Sequence, residues 1–260
     1  MLTGATRLVG IIGNPVSHSL SPRMQNAAFE ACALDWAYVP LPAEAENLNA
    51  AVRGLAALGF AGANVTIPHK TAVLASCDEV DDVARRARSV NTLVVSDGRI
   101  LGSSTDGLAV AGAVDARGAR VLLLGAGGAA QAVAAALADS GAASVTIAAR
   151  RREQAEALAR LVGGSVVDWP PDTSEAGLLV NTTPLKEETP VEPQPHQEVV
   201  DLAYEADGRP TALVAAACTA GCPVIVDGLE VLVRQGAASF ERWTGIPAPV
   251  DVMRAAVRAR

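Results

Sequence analysis

The sequence lacks any apolar run that approaches the length needed to cross a membrane. Spanning a bilayer takes about 18 or more consecutive apolar residues, and no stretch of this chain comes near that length. The N-terminus, MLTGATRLVGIIG, also lacks the long apolar segment and cleavage site of a secretory signal. We therefore expect a cytoplasmic protein with no membrane partner.

Cysteines are few, and basic residues are not concentrated in one place. The four cysteines show no disulfide framework, and the pair Cys218 and Cys222 has no histidine nearby to complete a zinc site. We therefore expect no metal. The net charge of −7 and the scattered arginines argue against a nucleic-acid surface, which would present a basic stripe. The expected partner is a small molecule.

Residues 121–152, VLLLGAGGAAQAVAAALADSGAASVTIAARRR, have the pattern of a strand, a turn, a helix and a second strand. Gly125, Gly127 and Ala130 follow the G-x-G-x-x-G/A spacing. In that spacing the first residue allows a tight turn, the second lets the backbone approach a pyrophosphate, and the third lets the helix pack on the strand. The segment is predicted to bind a dinucleotide, although a glycine turn in another α/β protein or a methyltransferase loop has the same spacing.

The end of the second strand in this segment indicates which dinucleotide is bound. Enzymes that use NAD carry an acidic side chain there, roughly 20 residues after the glycines, which accepts the ribose 2′-hydroxyl. Here Ala148 and Ala149 take that place, followed by Arg150, Arg151 and Arg152. Cations at the start of a helix oppose its dipole unless they bind an anion. The pattern favours NADP over NAD, and the alternative is three solvated arginines.

The rest of the chain predicts a second α/β domain and further helices. The predicted strands lie at 7–15, 36–42, 61–68, 176–184, 198–204 and 223–228, with a hairpin over 90–107 that turns at Asp97-Gly98. The predicted helices lie at 46–59, 78–89, 107–116, 151–163 and 211–221. Another begins within 16–33, a short one begins at His69-Lys70, and two more follow residue 228. We place one domain at 1–106, completed by C-terminal helices at about 236–260, and the other at 107–235.

Two serines flank the start of the first predicted helix. Ser21, with Pro22 at the first helical position, has the pattern of an N-cap, so capping alone would explain it. Ser19 has no such structural explanation in the sequence. Two hydroxyls beside a helix N-terminus could hold a substrate carboxylate.

Other polar residues fall where ligands of open α/β sheets bind. Asn64, Thr66 and Lys70 are predicted to lie at or near the C-terminal end of a strand. Taken alone, Lys70 is better explained as a surface lysine than as a functional one. Asp106 could simply cap the helix that follows the hairpin.

The motifs together resemble the shikimate dehydrogenase family, in order and over essentially the whole chain. They are GNPVSHSLSP, NVTIPHK, SVNTL, STDG, GAGGAA, VNTTP, VVDLAY and GLEVLVRQGAASFERWTG. The resemblance implies two α/β domains, namely an N-terminal substrate-binding domain and a Rossmann-type doubly wound dinucleotide-binding domain, with a cleft between them. It also implies an NADP-dependent oxidoreductase, monomeric or homodimeric, that reversibly reduces 3-dehydroshikimate to shikimate in aromatic amino-acid biosynthesis.

The resemblance assigns roles to individual residues. Lys70 and Asp106 would be catalytic, with the Lys70 ammonium group stabilising the developing alkoxide and then giving it a proton. The substrate-binding residues would be Ser19, Ser21, Thr66, Asn91, Tyr204 and Gln235. The cofactor-binding residues would be Gly125, Ala126, Gly127, Gly128, Ala129, Arg150, Arg151, Leu202 and Gly228.

Several positions depart from the family pattern. Ser104 replaces an asparagine, Ala149 and Arg151 replace an asparagine and a threonine, Val231 replaces a methionine, and Ala212 replaces a proline. Two other functions remain open. One is a dehydrogenase of broader specificity that also accepts quinate, and the other is a dinucleotide-binding sensor without turnover, against which the retained Lys70 and Asp106 argue.

Overall fold

The computed structural model describes residues 2–259 and has two compact units. One consists of Met1–Thr105 with Val233–Arg260, and the other of Asp106–Leu232. Each unit contains one six-stranded sheet. Among the described residues, no helix has both the length and the apolar character needed to cross a membrane.

The first part of the chain alternates strands and helices. Its elements are β1 (Arg7–Gly13), α1 (Ser21–Ala31), β2 (Trp36–Pro42), a 3-10 helix (Ala45–Asn47), α2 (Leu48–Ala57), β3 (Gly62–Val65), a second 3-10 helix (Ala72–Ser76), β4 (Glu79–Val80), α3 (Asp82–Ala87), β5 (Thr92–Ser96) and β6 (Arg99–Ser103). The chain ends with two further helices, at Gly228–Thr244 and Val250–Arg258.

The second part continues the alternation. Its elements are α4 (Asp106–Ala111), β7 (Arg120–Leu124), α5 (Gly128–Asp139), β8 (Ser144–Ala148), α6 (Arg152–Val162), β9 (Ser165–Val167), β10 (Leu178–Asn181), β11 (Glu198–Asp201), α7 (Ala212–Ala220), β12 (Val224–Val226), α8 (Gly228–Thr244) and α9 (Val250–Arg258).

The sheet of the first unit is mixed, in the order β2-β1-β3-β5-β6-β4. β1 pairs in parallel with β2 and β3, whereas β5 is antiparallel to both β3 and β6. The predicted turn between β5 and β6 is confirmed, because Asp97 and Gly98 both have positive φ values, 51° and 75°. Apolar side chains from β1, α2, β3 and β5 form the core beside this sheet.

The sheet of the second unit is parallel throughout, in the order β12-β11-β10-β7-β8-β9. Numbered within the unit, this is the strand order 3-2-1-4-5-6 read from β9, which is that of the Rossmann fold. Residues Val121–Leu124 of β7 and all four residues of β10 are buried, as expected for central parallel strands. The predicted doubly wound fold is confirmed.

Some predicted elements differ in the structure. The helix predicted over 78–89 forms only as α3, because the side chain of Asp81 accepts a hydrogen bond from the Ala84 backbone and caps the helix there. Part of the preceding segment pairs as β4 instead. The helix expected from His69-Lys70 is the 3-10 helix at Ala72–Ser76. β9 was not predicted; it pairs with β8 at the edge of the second sheet.

Candidate active site

Polar residues cluster at one edge of the first sheet. Thr66 follows β3 and Thr105 follows β6, while Asn91 precedes β5. Because β5 runs antiparallel to its two neighbours, its start lies at the same edge as their ends. The backbone of Lys70 reaches this edge too, since its carbonyl accepts a hydrogen bond of 2.8 Å from the Val90 N–H.

The predicted role of Ser21 as the N-cap of α1 is wrong. The N-cap position of α1 is occupied by Leu20, and Ser21 is already the first helical residue. The Ser19 hydroxyl accepts a hydrogen bond from the Ser21 backbone N–H at 3.2 Å. The buried Ser21 hydroxyl has no hydrogen-bond partner within residues 2–259, so it is available to a ligand.

Two of the predicted substrate-binding residues are in contact. The Asn91 side-chain amide donates to the Thr105 hydroxyl at 2.8 Å and, more weakly, to Gln235 Oε1 at 3.4 Å. In return, the Thr105 backbone N–H donates to Asn91 Oδ1 at 2.8 Å. Asn91 is only 2% exposed. These bonds fix the orientation of the Asn91 amide and tie it to the residue that precedes Asp106.

A buried polar network supports this contact. The Asn64 side-chain amide donates to the Asn91 carbonyl at 3.0 Å and to the Ser239 hydroxyl at 2.9 Å, and its oxygen accepts from the Tyr38 hydroxyl at 2.8 Å. The Ser239 hydroxyl in turn contacts the Thr92 hydroxyl at 2.8 Å. Sequence reasoning named Asn64 only by its place on a strand and missed its partners, because they come from segments far apart in the chain.

The predicted catalytic carboxylate is the first residue of α4. Asp106 is the first residue of α4 and of the second unit, and it is only 5% exposed. Lys70 belongs to the first unit and is half-buried. Ser104 is fully buried, and its hydroxyl oxygen has no hydrogen-bond partner within residues 2–259.

The glycine-rich loop of the second unit has a geometry that fits a pyrophosphate. Gly125 has a φ of +109°, and a Cβ atom there would lie 2.6 Å from Thr182 Oγ1, so only glycine fits. Gly127 is the N-cap of α5, and a Cβ atom there would meet no atom within 4 Å. The open space beside Gly127 and the N-terminus of α5 are the features with which this kind of loop holds the phosphates of a dinucleotide.

The arginines after β8 differ in their contacts. Arg152 forms ion pairs with Glu156 at 3.1 Å and with Asp168 at 2.6 Å. Arg150 and Arg151 are exposed, and neither guanidinium group has an ion pair or hydrogen bond within residues 2–259. Two cations therefore remain for a ligand at the end of β8, where a 2′-phosphate would lie.

The residues predicted to lie by the nicotinamide are in direct contact. A Cβ atom at Gly228 would come within 2.2 Å of the Ala203 carbonyl oxygen and 3.0 Å of the Leu202 carbonyl oxygen. A side chain at position 228 would therefore displace the segment that follows β11. Tyr204 lies in the same segment of the second unit, where the Lys186 ammonium group is 5.8 Å from the centre of its ring.

Three further positions depart from the family pattern. Val231 is buried in the apolar core of the second unit. Ala212 is the first residue of α7, whose N-cap Thr211 accepts a hydrogen bond from the Val214 N–H. Ala149 follows β8 directly, beside Arg150, and takes the place of an asparagine. Val231 and Ala212 therefore remove no polar group, whereas Ala149 does.

Fold and site together define an α/β protein with a Rossmann-type dinucleotide-binding unit. Comparison with protein families then identifies the family. The chain matches the shikimate dehydrogenase substrate binding domain over residues 11–93 and the shikimate / quinate 5-dehydrogenase family over 108–171. It matches the shikimate 5′-dehydrogenase C-terminal domain over 228–258. The chain belongs to the shikimate dehydrogenase family.

Individual relatives resemble the chain over nearly its full length. It is 45% identical to a shikimate dehydrogenase (NADP(+)) of Anaeromyxobacter sp., over 100% of this chain and 98% of the relative. It is 43% identical to one of Moorella thermoacetica, over 98% and 93%. Among solved structures, it is similar to a shikimate 5-dehydrogenase of Thermus thermophilus in complex with NADP(H) and shikimate. That similarity has a TM-score of 0.87 at 34% identity, over 97% of this chain and 98% of the other.

Proposed function

We propose that this protein is an NADP-dependent shikimate dehydrogenase that reversibly reduces 3-dehydroshikimate to shikimate, a step of aromatic amino-acid biosynthesis. The observation that carries the proposal is the full-length similarity to relatives of that name. The chain's own features support it. The guanidinium groups of Arg150 and Arg151 have no ion pair or hydrogen bond within residues 2–259, and Ala148 and Ala149 stand where an enzyme that uses NAD carries an acidic residue.

The cofactor is held by the second unit in this proposal. Residues 125–129 bind the pyrophosphate, Arg150 and Arg151 bind the 2′-phosphate, and Leu202 and Gly228 contact the nicotinamide. When bound, NADPH supplies the hydride that reduces the substrate carbonyl carbon. The protein must supply the proton and bind the substrate in a fixed orientation.

The proton comes from Lys70. As the carbon–oxygen double bond of 3-dehydroshikimate becomes a single bond, negative charge develops on the oxygen. The Lys70 ammonium group stabilises that charge and transfers its proton to the oxygen, which completes the hydroxyl group of shikimate. Asp106 is the acidic member of the proposed catalytic pair.

The substrate is bound at both ends. Ser19 and Ser21 hold the carboxylate with their hydroxyl groups, together with Thr66 and Tyr204. Asn91 and Gln235 bind the hydroxyl groups of the ring, and their mutual contact keeps both amides in place. We further propose that the enzyme works in the cytoplasm as a monomer or homodimer. Light scattering of the purified protein would determine which of these two oligomeric states it adopts.

A second candidate substrate is quinate, because the family that matches residues 108–171 includes quinate dehydrogenases by its description. The test is to measure kcat/KM of the purified protein for shikimate and quinate, each with NADP and NAD. We expect the highest value for shikimate with NADP. Equal values for quinate would favour the broader enzyme. NADP binding without turnover of either substrate would favour a sensor and overturn the proposed function.

A further inference from the structure

Asp201, the last residue of β11, is fully buried and has no role in the function proposed above. Its carboxylate accepts three hydrogen bonds. Oδ1 accepts from the Asn181 side-chain amide at 2.8 Å and from the Ala203 backbone N–H at 2.9 Å. Oδ2 accepts from the Thr211 hydroxyl at 2.5 Å. One carboxylate therefore serves as acceptor for donors from three segments.

A buried carboxylate is costly, so its presence here requires a reason. Desolvation raises the pKa of Asp201, while the hydrogen bonds from Thr211, Ala203 and Asn181 act in the opposite direction and the carboxylate of Asp227 adds to the increase. A burial penalty of this kind is tolerated when the group satisfies donors that would otherwise be unpaired. The three hydrogen bonds to Asp201 therefore connect three separate segments of the chain.

The three donors belong to the loops at the C-terminal edge of the parallel sheet. Asn181 ends β10, and its side-chain oxygen also accepts from the Thr183 N–H at 3.0 Å and from the Thr183 hydroxyl at 2.7 Å. Thr211 is the N-cap of α7. Ala203 lies two residues after β11. Ligands of parallel α/β sheets bind beyond this edge.

The segment of Leu202 and Ala203 is held in place by several contacts. The Leu202 N–H donates to the Asn181 carbonyl at 2.9 Å, and the Ala203 N–H donates to Asp201. Gly228 approaches the carbonyl oxygens of the same two residues, with no room for a side chain. The backbone of two successive residues is thus held by two hydrogen bonds and one close contact.

We propose that Asp201 is a positioning residue for hydride transfer, which fixes the Leu202–Ala203 backbone as the surface against which the nicotinamide is oriented. The inference rests on the proposed function, because that function places the nicotinamide beside Leu202 and Gly228. Hydride transfer is sensitive to the position of the donor, so a displaced surface slows the chemical step more than it weakens cofactor binding.

The experiment compares two substitutions of Asp201 in the full-length protein. Asp201→Ala leaves the three donors without an acceptor. Asp201→Asn keeps an oxygen for Asn181 and Ala203, and its amide can donate to the Thr211 hydroxyl, which can accept. We measure kcat and KM for NADP in shikimate oxidation, and the kinetic isotope effect with shikimate deuterated at the carbon that is oxidised.

We expect Asp201→Ala to lower kcat about 10- to 100-fold, with a larger isotope effect and a nearly unchanged KM for NADP. Asp201→Asn should retain most of the activity and the wild-type isotope effect. Gly228→Ala is the second variant, because it displaces the same backbone without removing a hydrogen bond of Asp201. It should lower kcat and raise the isotope effect in the same way, and it can be measured if Asp201→Ala does not fold.

Gln197 provides a matched control. It directly precedes β11, at the end of that strand opposite to Asp201. It is also fully buried and makes three hydrogen bonds: its amide donates to the Thr173 and Ala176 carbonyls at 2.6 and 3.1 Å, and its oxygen accepts from the Gln194 N–H at 2.8 Å. Gln197→Ala should lower the melting temperature as Asp201→Ala does. Its kcat and isotope effect should remain those of the wild type.

The outcomes separate this inference from the proposed function. A wild-type protein without activity on shikimate and NADP would overturn the function and the inference with it. An active wild type in which Asp201→Ala or Gly228→Ala keeps the wild-type kcat and isotope effect would overturn the inference alone. The same holds if Gln197→Ala loses as much kcat as Asp201→Ala, or if Asp201→Asn is as slow as Asp201→Ala.

Discussion

The Ser19 hydroxyl oxygen lies 3.2 Å from the Ser21 backbone nitrogen and accepts its hydrogen bond. The side-chain hydrogen bond at the helix start is therefore accepted by Ser19, which precedes the N-cap Leu20, while the hydroxyl of Ser21 is buried without a partner among the described residues. Ser19 can still donate its own proton to a substrate carboxylate, since it only accepts in the bond to Ser21. The two serines thus have separable effects.

We expect Ser19→Ala and Ser21→Ala both to raise the KM for shikimate, because each loses a charge-assisted hydrogen bond of about 1.5–3 kcal/mol. Only Ser19→Ala should also lower stability, by about 1 kcal/mol, through the lost hydrogen bond from the Ser21 N–H. Steady-state kinetics and thermal melting of the two variants test this. A Ser21→Ala protein with a lower melting temperature and an unchanged KM would contradict both assignments.

The catalytic assignment predicts that Lys70→Ala lowers kcat by several orders of magnitude and changes KM much less, because the proton is needed mainly in the transition state. Asp106→Asn should show the same pattern, since it removes the negative charge and keeps the side-chain shape. Arg53→Ala is a control that removes a cation of an exposed ion pair on the first unit. A Lys70→Ala enzyme that keeps a tenth of the wild-type kcat, with chemistry rate-limiting, would refute the role of Lys70.

The sequence predicted those features that depend on contiguous residues. The strand, turn, helix and strand from β7 to β8 were predicted because the apolar run and the glycine spacing lie within one segment. β9 has only three residues, none of them buried, so it has no apolar run to identify it. The hydrogen bond from the Ser21 N–H to the Ser19 hydroxyl was missed because the pattern of residue types does not show that Leu20 is the N-cap.

The supporting groups of the site could not be predicted in this way. Asn64 and Ser239 are 175 positions apart in the chain, and only the folded first unit brings their side chains to 2.9 Å. Asp201 lies within a recognised motif, but its three donors come from the ends of separate elements. Resemblance to a family identifies the residues that contact ligands, whereas the residues that orient them emerge from the hydrogen bonds of this structure.

Asp78 predicts how stability depends on pH. Its carboxylate accepts a 2.7 Å hydrogen bond from the Ile100 N–H and pairs with Arg53 at 2.8 Å. The hydrogen bond from Ile100, followed by the contribution of Arg53, lowers the pKa of Asp78. A carboxylate with a lowered pKa contributes stability above its ordinary pKa, and this contribution is lost as the pH falls through the lowered pKa.

We therefore expect Asp78→Asn to melt below the wild type at neutral pH, with a difference that shrinks as the pH falls below the ordinary pKa of an aspartate. Glu188→Gln is the matched control, because Glu188 is exposed and makes no hydrogen bond or ion pair within residues 2–259. Its melting temperature should follow that of the wild type at each pH. A difference for Asp78→Asn that does not change with pH would show that the charge of Asp78 is not responsible.

The three arginines after β8 predict a graded effect on cofactor choice. The guanidinium groups of Arg150 and Arg151 have no ion pair or hydrogen bond in the described part of the chain, whereas that of Arg152 is paired with Glu156 and Asp168. A charge-assisted bond to the 2′-phosphate contributes about 1.5–3 kcal/mol, so Arg150→Ala should lower the preference for NADP over NAD by tenfold or more. Arg151→Ala should lower it less, because Arg151 occupies the N-cap of α6. Arg152→Ala is the control and should leave the preference for NADP unchanged.

The measurement is the ratio of kcat/KM for NADP to that for NAD in all four proteins. A wild type that uses both cofactors equally, or an Arg152→Ala effect as large as that of Arg150→Ala, would show that the unpaired arginines do not recognise the phosphate.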